Sequence, residues 1–210
     1  IFIIANKDEQ WGVFNTEGVR MSDNIFSTIK IFKPYDSKWG NWLLVTNNDK
    51  CGLYNDQGKL IVAPNYDHID TVDDFIIISS EGKQGVVNKE GLTLLENQYD
   101  SIVSLRNKYN LRCQKDNKFY LFNSETALLS DNYYDSIEKF TDCHLTAKVG
   151  DNFGLLDVDG KTCIPFEYEQ IDMMCHLDDD NFVFKCKKNG SVCAFDISKQ
   201  EEIIPAKYDD

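Results

Sequence analysis

The stretch Gly52-Leu53-Tyr54-Asn55-Asp56-Gln57-Gly58-Lys59-Leu60-Ile61-Val62-Ala63-Pro64-Asn65-Tyr66-Asp67-His68-Ile69 sets two apolar runs around a polar turn and closes on an aromatic–acid pair. Its parts recur along the chain. Glycine, two apolar residues and Asn or Asp return as Gly12-Val13-Phe14-Asn15, Gly85-Val86-Val87-Asn88 and Gly154-Leu155-Leu156-Asp157. Tyr120-Leu121-Phe122-Asn123 and Cys193-Ala194-Phe195-Asp196 are degenerate copies. Five of the six copies place an aromatic 14 residues after their first position, at Phe26, Tyr66, Tyr99, Tyr134 and Tyr168; the sixth, Tyr208, lies 15 away. First positions follow one another at 40, 33, 35, 34 and 39 residues, so the length variation falls outside this core. Self-similarity at such a period marks a repeat architecture.

The turn residues say what each repeat is made of. Gly18, Gly58, Gly91 and Gly160 each lie six residues after the leading Gly, behind an Asn or Asp whose side chain can cap a turn. A glycine there supplies the positive φ that ends a short hairpin loop. Gly82, Gly150 and Gly190 mark a second turn, while Pro64, Pro165 and Pro205 precede the aromatic–acid pair. Each repeat therefore reads as four short strands, exemplified by 42–46, 52–55, 59–63 and 66–69, with a looser connection to the next. No stretch carries a helical period over ten or more residues. The expected fold is all-β: six tandem four-strand meanders of about 35 residues, approximately 1–34, 35–72, 73–106, 107–140, 141–177 and 178–210, in a single domain.

Composition narrows the function classes. The 210 residues are 42% hydrophobic and 12% aromatic, too rich for disorder, and 22 basic against 35 acidic side chains leave a net charge of −13. Nucleic-acid backbones and anionic membranes are poor partners for such a chain. Apolar runs of about four residues are far short of the roughly 20 that span a bilayer as a helix. Without an initiator Met, the chain reads as a piece of a longer protein. Seven cysteines, an odd number with no C-x-x-C pair, argue against a disulfide framework and point to a reducing, cytoplasmic setting.

These residues resemble the bacterial WG-repeat proteins, whose motif runs Trp-Gly, two apolar residues, Asp, then Gly-Lys, apolar residues, Pro and Tyr-Asp-x-Ile. Gly52 to Ile69 matches best and Gly154 to Ile171 follows. Only Trp11-Gly12 carries the eponymous dipeptide in register; Cys51, Gln84 and Phe153 stand in its Trp position elsewhere, and Trp39-Gly40 has no core behind it. The resemblance implies a non-catalytic repeat module without a shared cofactor or active site. A four-strand meander of this size must stack on its neighbours. Radial stacking gives a β-propeller, the favoured reading from the rhythm of three tight turns and one loose connection; linear stacking gives an open β-solenoid.

Candidate site residues come from the copy-specific segments. The first long connection, 33–41, holds Tyr35 and Trp39, residue types that anchor binding hot spots. The other, around Met173 to His176, adds His176. These three residues are the expected contacts of a protein or peptide partner. Cys175-His176-Leu177-Asp178-Asp179-Asp180 mixes soft and hard ligands without the spacing of a calcium loop, so a solvated acidic loop is expected and no metal or other cofactor. The aromatic–acid pairs, needed in every repeat, are expected to serve stacking. The chain reads as a non-enzymatic interaction or scaffold module. A glycan-binding module, or a glycoside hydrolase using two carboxylates, is the alternative.

Overall fold

Asn15, Asn55, Asn88 and Asp157 each turn the chain in the same way. In the computed structural model, the side-chain oxygen of each accepts the N–H groups two and four residues on, as Asn55 does from Gln57 and Lys59 at 3.1 and 2.9 Å. The glycine N–H closes the turn on the same residue's carbonyl, and Gly18, Gly58, Gly91 and Gly160 have φ of 78°, 82°, 93° and 80°. This is a three-residue hairpin loop with its bulge glycine in the left-handed region. The structure describes residues 3–8, 10–15, 17–22, 26–33, 40–106, 110–123, 125–178 and 181–209.

These hairpins belong to antiparallel sheets that follow chain order. The first pairs β1 (Ile3–Lys7) with β2 (Gln10–Phe14). Four strands make the second: β3 (Thr28–Phe32), β4 (Trp42–Asn47), β5 (Lys50–Tyr54) and β6 (Leu60–Tyr66). The third is β7 (His68–Val72), β8 (Phe75–Ser80), β9 (Lys83–Val87) and β10 (Thr93–Tyr99). The fourth comprises β11 (Ser101–Ser104), β12 (Asn110–Lys115), β13 (Lys118–Asn123) and the short β14 (Leu128–Leu129). β15 (Ser136–Lys139), β16 (His144–Val149), β17 (Asn152–Asp157) and β18 (Thr162–Tyr168) form the fifth. The sixth is β19 (Gln170–Asp178), β20 (Asn181–Lys188), β21 (Ser191–Asp196) and β22 (Glu201–Tyr208). Among the described residues the fold is all-β, a succession of antiparallel meanders that are four-stranded from the second sheet onward.

Strand assignment shifts by one against the sequence reading. The Tyr-acid-x-Ile stretch is not the fourth strand of its own repeat. Its Tyr ends the fourth strand of one sheet, and its Ile lies in the first strand of the next. Asp67, Asp135 and Glu169 mark the corner: each backbone N–H donates to the second strand of the new sheet, at Ser79, Lys148 and Lys187. The long connection at 33–41 therefore joins the first and second strands of one sheet, β3 and β4. The acidic loop expected at 175–180 is in large part strand, because β19 and β20 extend the sixth sheet's outer hairpin to Asp178 and Asn181.

The chain forms two compact units, Ile1–Ile102 and Val103–Asp210. In each, the core lies between successive sheets. In the first unit Trp42, Leu53 and Val62 of the second sheet pack with Ile69, Ile76 and Ile78 of the third. In the second unit Leu155, Ile164 and Tyr168 of the fifth sheet meet Ile171, Phe184 and Cys186 of the sixth.

The leading glycine is required by the strand opposite. β6 and β10 bulge as they pass it, so a Cβ on Gly52 would lie 2.9 Å from the Val62 carbonyl oxygen, and one on Gly85 2.7 Å from that of Leu95. Tyr120 stands in that place in the fourth sheet, where the facing strand is cut to Leu128–Leu129.

Candidate functional site

The recurring side chains are engaged in building the sheets. The position of the eponymous Trp lies across the strands from the aromatic in all six copies: Trp11 from Phe26, Cys51 from Tyr66, Gln84 from Tyr99, Phe119 from Tyr134, Phe153 from Tyr168 and Val192 from Tyr208. Phe26, Tyr99, Tyr134 and Tyr168 are buried. The Tyr168 hydroxyl donates to Glu202 Oε1 at 2.8 Å; burial, then that carboxylate, pushes the phenol up.

The acids clip one sheet to the next. Asp67 accepts from the Lys50 ammonium through Oδ1 and from the Glu81 N–H, in the β8–β9 turn, through Oδ2 at 2.9 Å. Asp135 repeats this with Lys118 at 2.5 Å and the Gly150 N–H at 2.7 Å. Lys83 pairs with Asp100 in the same register. The lysine hydrogen bond, then the turn N–H, holds the carboxyls of Asp67 and Asp135 below the usual range. Asp196, capped by the Ser198 hydroxyl and by Lys199, is held down to about 2. Asp142, beside Lys139, shifts in the same direction.

Of the three expected contact residues, His176 alone lies among the described residues. Tyr35 and Trp39 lie outside the described residues. His176 lies in β19 with its backbone opposite Phe182, next to a bulge between Met173 and Cys175. Met173 and Met174 are exposed on the same strand. Among the described residues, no group of three His, Cys, Asp or Glu side chains is placed to hold a metal ion, and no helix is long and apolar enough to cross a membrane. Cys113, Cys186 and Cys193 are buried free thiols, whereas Cys143 is exposed.

Two concavities were not anticipated. One of about 380 Å³ lies along β1 and β2, lined by Ala5, Lys7, Trp11, Gly12, Phe14 and Arg20 among others. Alignment of Ile3-Ile4-Ala5 with Leu43-Leu44-Val45, a buried central strand, is the sequence signal that points to it. The other, of about 530 Å³, opens where β14 is short, beside Asn123, Asp131, Tyr134 and Asp159.

Residues 52–83 match the family model of the WG-containing repeat, so over that stretch the repeat is a WG-containing repeat. No curated protein matches the chain. Among solved structures, PorZ, a surface component of the type-IX secretion system of Porphyromonas gingivalis, is similar over 99% of this chain and 32% of its own, at 8% identity and a TM-score of 0.33. The chain thus spans about a third of PorZ. Hsv2p of Kluyveromyces lactis is similar over 93% of this chain and 71% of its own, at 11% identity and a TM-score of 0.33. For the N-terminal domain of Nup159 the shares are 98% and 73%, at 11% identity and a TM-score of 0.34. Likeness at this level does not extend to function.

Proposed function

We propose that this chain is a non-enzymatic scaffold that binds a protein or peptide partner through its copy-specific segments, 33–41 with Tyr35 and Trp39 and the β19–β20 hairpin with His176. The observation that supports the reading is the division of labour among side chains. Asn or Asp caps recur in all six copies, and leading glycines and aromatic–acid corners in most of them, where they serve turns, close approach and clips, which leaves recognition to the segments that differ between copies. The exposed Met173 and Met174 beside His176 suit an adaptable apolar contact. An excess of acid, 35 against 22 basic side chains, favours a basic or apolar peptide over a nucleic acid.

A glycoside hydrolase would need a carboxyl with raised pKa as its general acid. The described carboxyls with shifted acidity, Asp67, Asp135, Asp142 and Asp196, all shift the other way. The test is a peptide-library selection against the 210-residue chain, followed by affinity measurement on a Y35A/W39A/H176A variant. Loss of about tenfold or more, with the melting temperature unchanged, supports the reading. Unchanged affinity, or turnover of an aryl glycoside above background, overturns it.

A further inference from the structure

From the second sheet onward, the second-strand residue opposite the leading position of the Gly-apolar-apolar core is buried. The facing pairs are Val45 and Gly52, Ile78 and Gly85, Cys113 and Tyr120, Ala147 and Gly154, and Cys186 and Cys193. The last sets a thiol on both strands, and none of the other four does. Cys186 and Cys193 are 0% and 1% exposed, and both pack with Tyr168, Phe184 and Phe195 in the core between the fifth and sixth sheets.

Their register is pinned at the turn. Asn189 and Gly190 hold φ of 52° and 76°, the two positive values of a type I′ hairpin. From Lys188 opposite Ser191 to Val183 opposite Asp196, β20 and β21 pair without a bulge, whereas β19 shifts register twice against β20. Residues directly opposite in an antiparallel pair share a face, with Cα atoms about 4.5–5.5 Å apart. That lies within the span of about 4.4–6.8 Å that a disulfide bridges. The Cys193 thiol donates to the Cys186 carbonyl oxygen at 3.4 Å, and the two thiols lie within hydrogen-bonding reach of each other.

We propose that Cys186 and Cys193 are a cross-strand dithiol that a small disulfide, such as glutathione disulfide, converts to an internal disulfide fastening β20 to β21. One cysteine thiolate attacks the S–S bond of glutathione disulfide and displaces one glutathione as its thiolate; the second cysteine thiolate attacks the mixed disulfide and displaces the other. Two cysteine thiols are thereby oxidised to one disulfide, and one glutathione disulfide is reduced to two thiols, which carry away both protons. Burial pushes both cysteines up, so thiolate is scarce while the sheet is closed. With both sulfurs sealed from solvent, exchange proceeds through local opening of the hairpin. The pair stays as thiols in a reducing setting and closes in an oxidising one. The bond encloses only residues 187–192 and involves none of Tyr35, Trp39 and His176.

The test is a redox titration of the 210-residue chain in glutathione buffers, followed by thiol blocking and tryptic digestion without reductant. The fragments Cys186-Lys187 and 189–199 should appear linked, lighter by two hydrogen atoms than the separate thiols, and dithiothreitol should release them. The linked chain should exchange the amides of residues 187–192 about tenfold more slowly than the reduced chain. Cys186→Ala should leave Cys193 unlinked to any other cysteine. The exposed Cys143 takes up glutathione and shows that the oxidant is active. The proposal is overturned if Cys143 is modified and no link between Cys186 and Cys193 forms at equilibrium in the most oxidising buffer. It is equally overturned if the link appears only in denaturant that unfolds the chain, if Cys193 links as readily to Cys113, Cys163 or Cys175, or if the linked chain melts below the reduced one.

Discussion

Gly85 and Gly18 show that the repeat's glycines serve two different purposes. A Cβ on Gly85 would meet the Leu95 carbonyl oxygen at 2.7 Å and the Asn97 nitrogen at 3.0 Å, both backbone atoms that cannot swing away. Gly85→Ala should cost about 1–3 kcal/mol in denaturant unfolding, the range for forcing extra volume into a packed site. Around Gly18 nothing lies within 4 Å, but its φ of 78° disfavours any L side chain, so Gly18→Ala should cost about 1–2 kcal/mol through the backbone alone. The converse applies in the degenerate copies, where Ala127 and Gln200 hold φ of 55° and 56° after their caps. Replacing either with glycine should stabilise the protein, by up to about 1 kcal/mol.

His144 sets a pH dependence at the same scale. Burial lowers its pKa, opposed in part by the Asp157 charge; its ring lies against Phe182 and Phe184, with Thr141 Oγ1 at 3.1 Å. A lowered folded pKa means that the unfolded chain takes up the proton first as pH falls. The stabilisation is therefore present above the unfolded value, about 6.5, and lost below it. Unfolding free energy should decline between about pH 7 and 5 in the wild type, and that share of the decline should vanish in His144→Gln. Asp67 and Asp135, whose pKa values are lowered, lose their contribution as pH falls through the usual carboxylate value toward their own lower ones, so the two effects separate.

At the scale of the strand pair, the Lys–Asp clips join neighbouring sheets through two unequal contacts. The Lys50–Asp67 pair is well exposed on both sides, and exposed pairs contribute little in solution. The other carboxylate oxygen caps the Glu81 N–H at a turn with φ of 53°. Asp67→Ala should therefore lower the melting temperature more than Lys50→Ala, and Asp67→Asn, which keeps an acceptor, should lie between them. Equal losses would assign the clip to the ion pair instead. The same clip explains what could and could not be read from the chain. The hairpin of Asn55 to Gly58 is local chemistry, so its residues declared it. Membership of Tyr66 and Asp67 in a sheet is decided by partners 15 to 17 residues away, Cys51 and Lys50 on one side, and by Ser79 and Glu81 on the other. A periodic sequence gives every repeat boundary the same local look, and the cut fell one strand late.

Across the whole chain, the net charge of −13 is distributed through turns and corners. A net charge this far from zero opposes compaction through self-repulsion. Against it stand Lys–carboxylate pairs such as Lys50–Asp67, Lys83–Asp100 and Lys118–Asp135, all partly or well exposed and individually weak. Salt screens both, and the balance decides the sign. Between about 10 mM and 150 mM the screening length falls from about 30 to about 8 Å. Repulsion among dispersed carboxylates acts over that longer range and is lost first, whereas contact pairs are shorter than either length. The melting temperature should therefore rise as sodium chloride is added over this interval, by about 2–4 °C for each kcal/mol of repulsion relieved in a chain of this size. A Lys50→Ala/Lys83→Ala/Lys118→Ala variant, more acidic by three charges, should show a steeper rise. A melting temperature that falls with salt in the wild type and is flat in that variant would mean that the clips outweigh the repulsion.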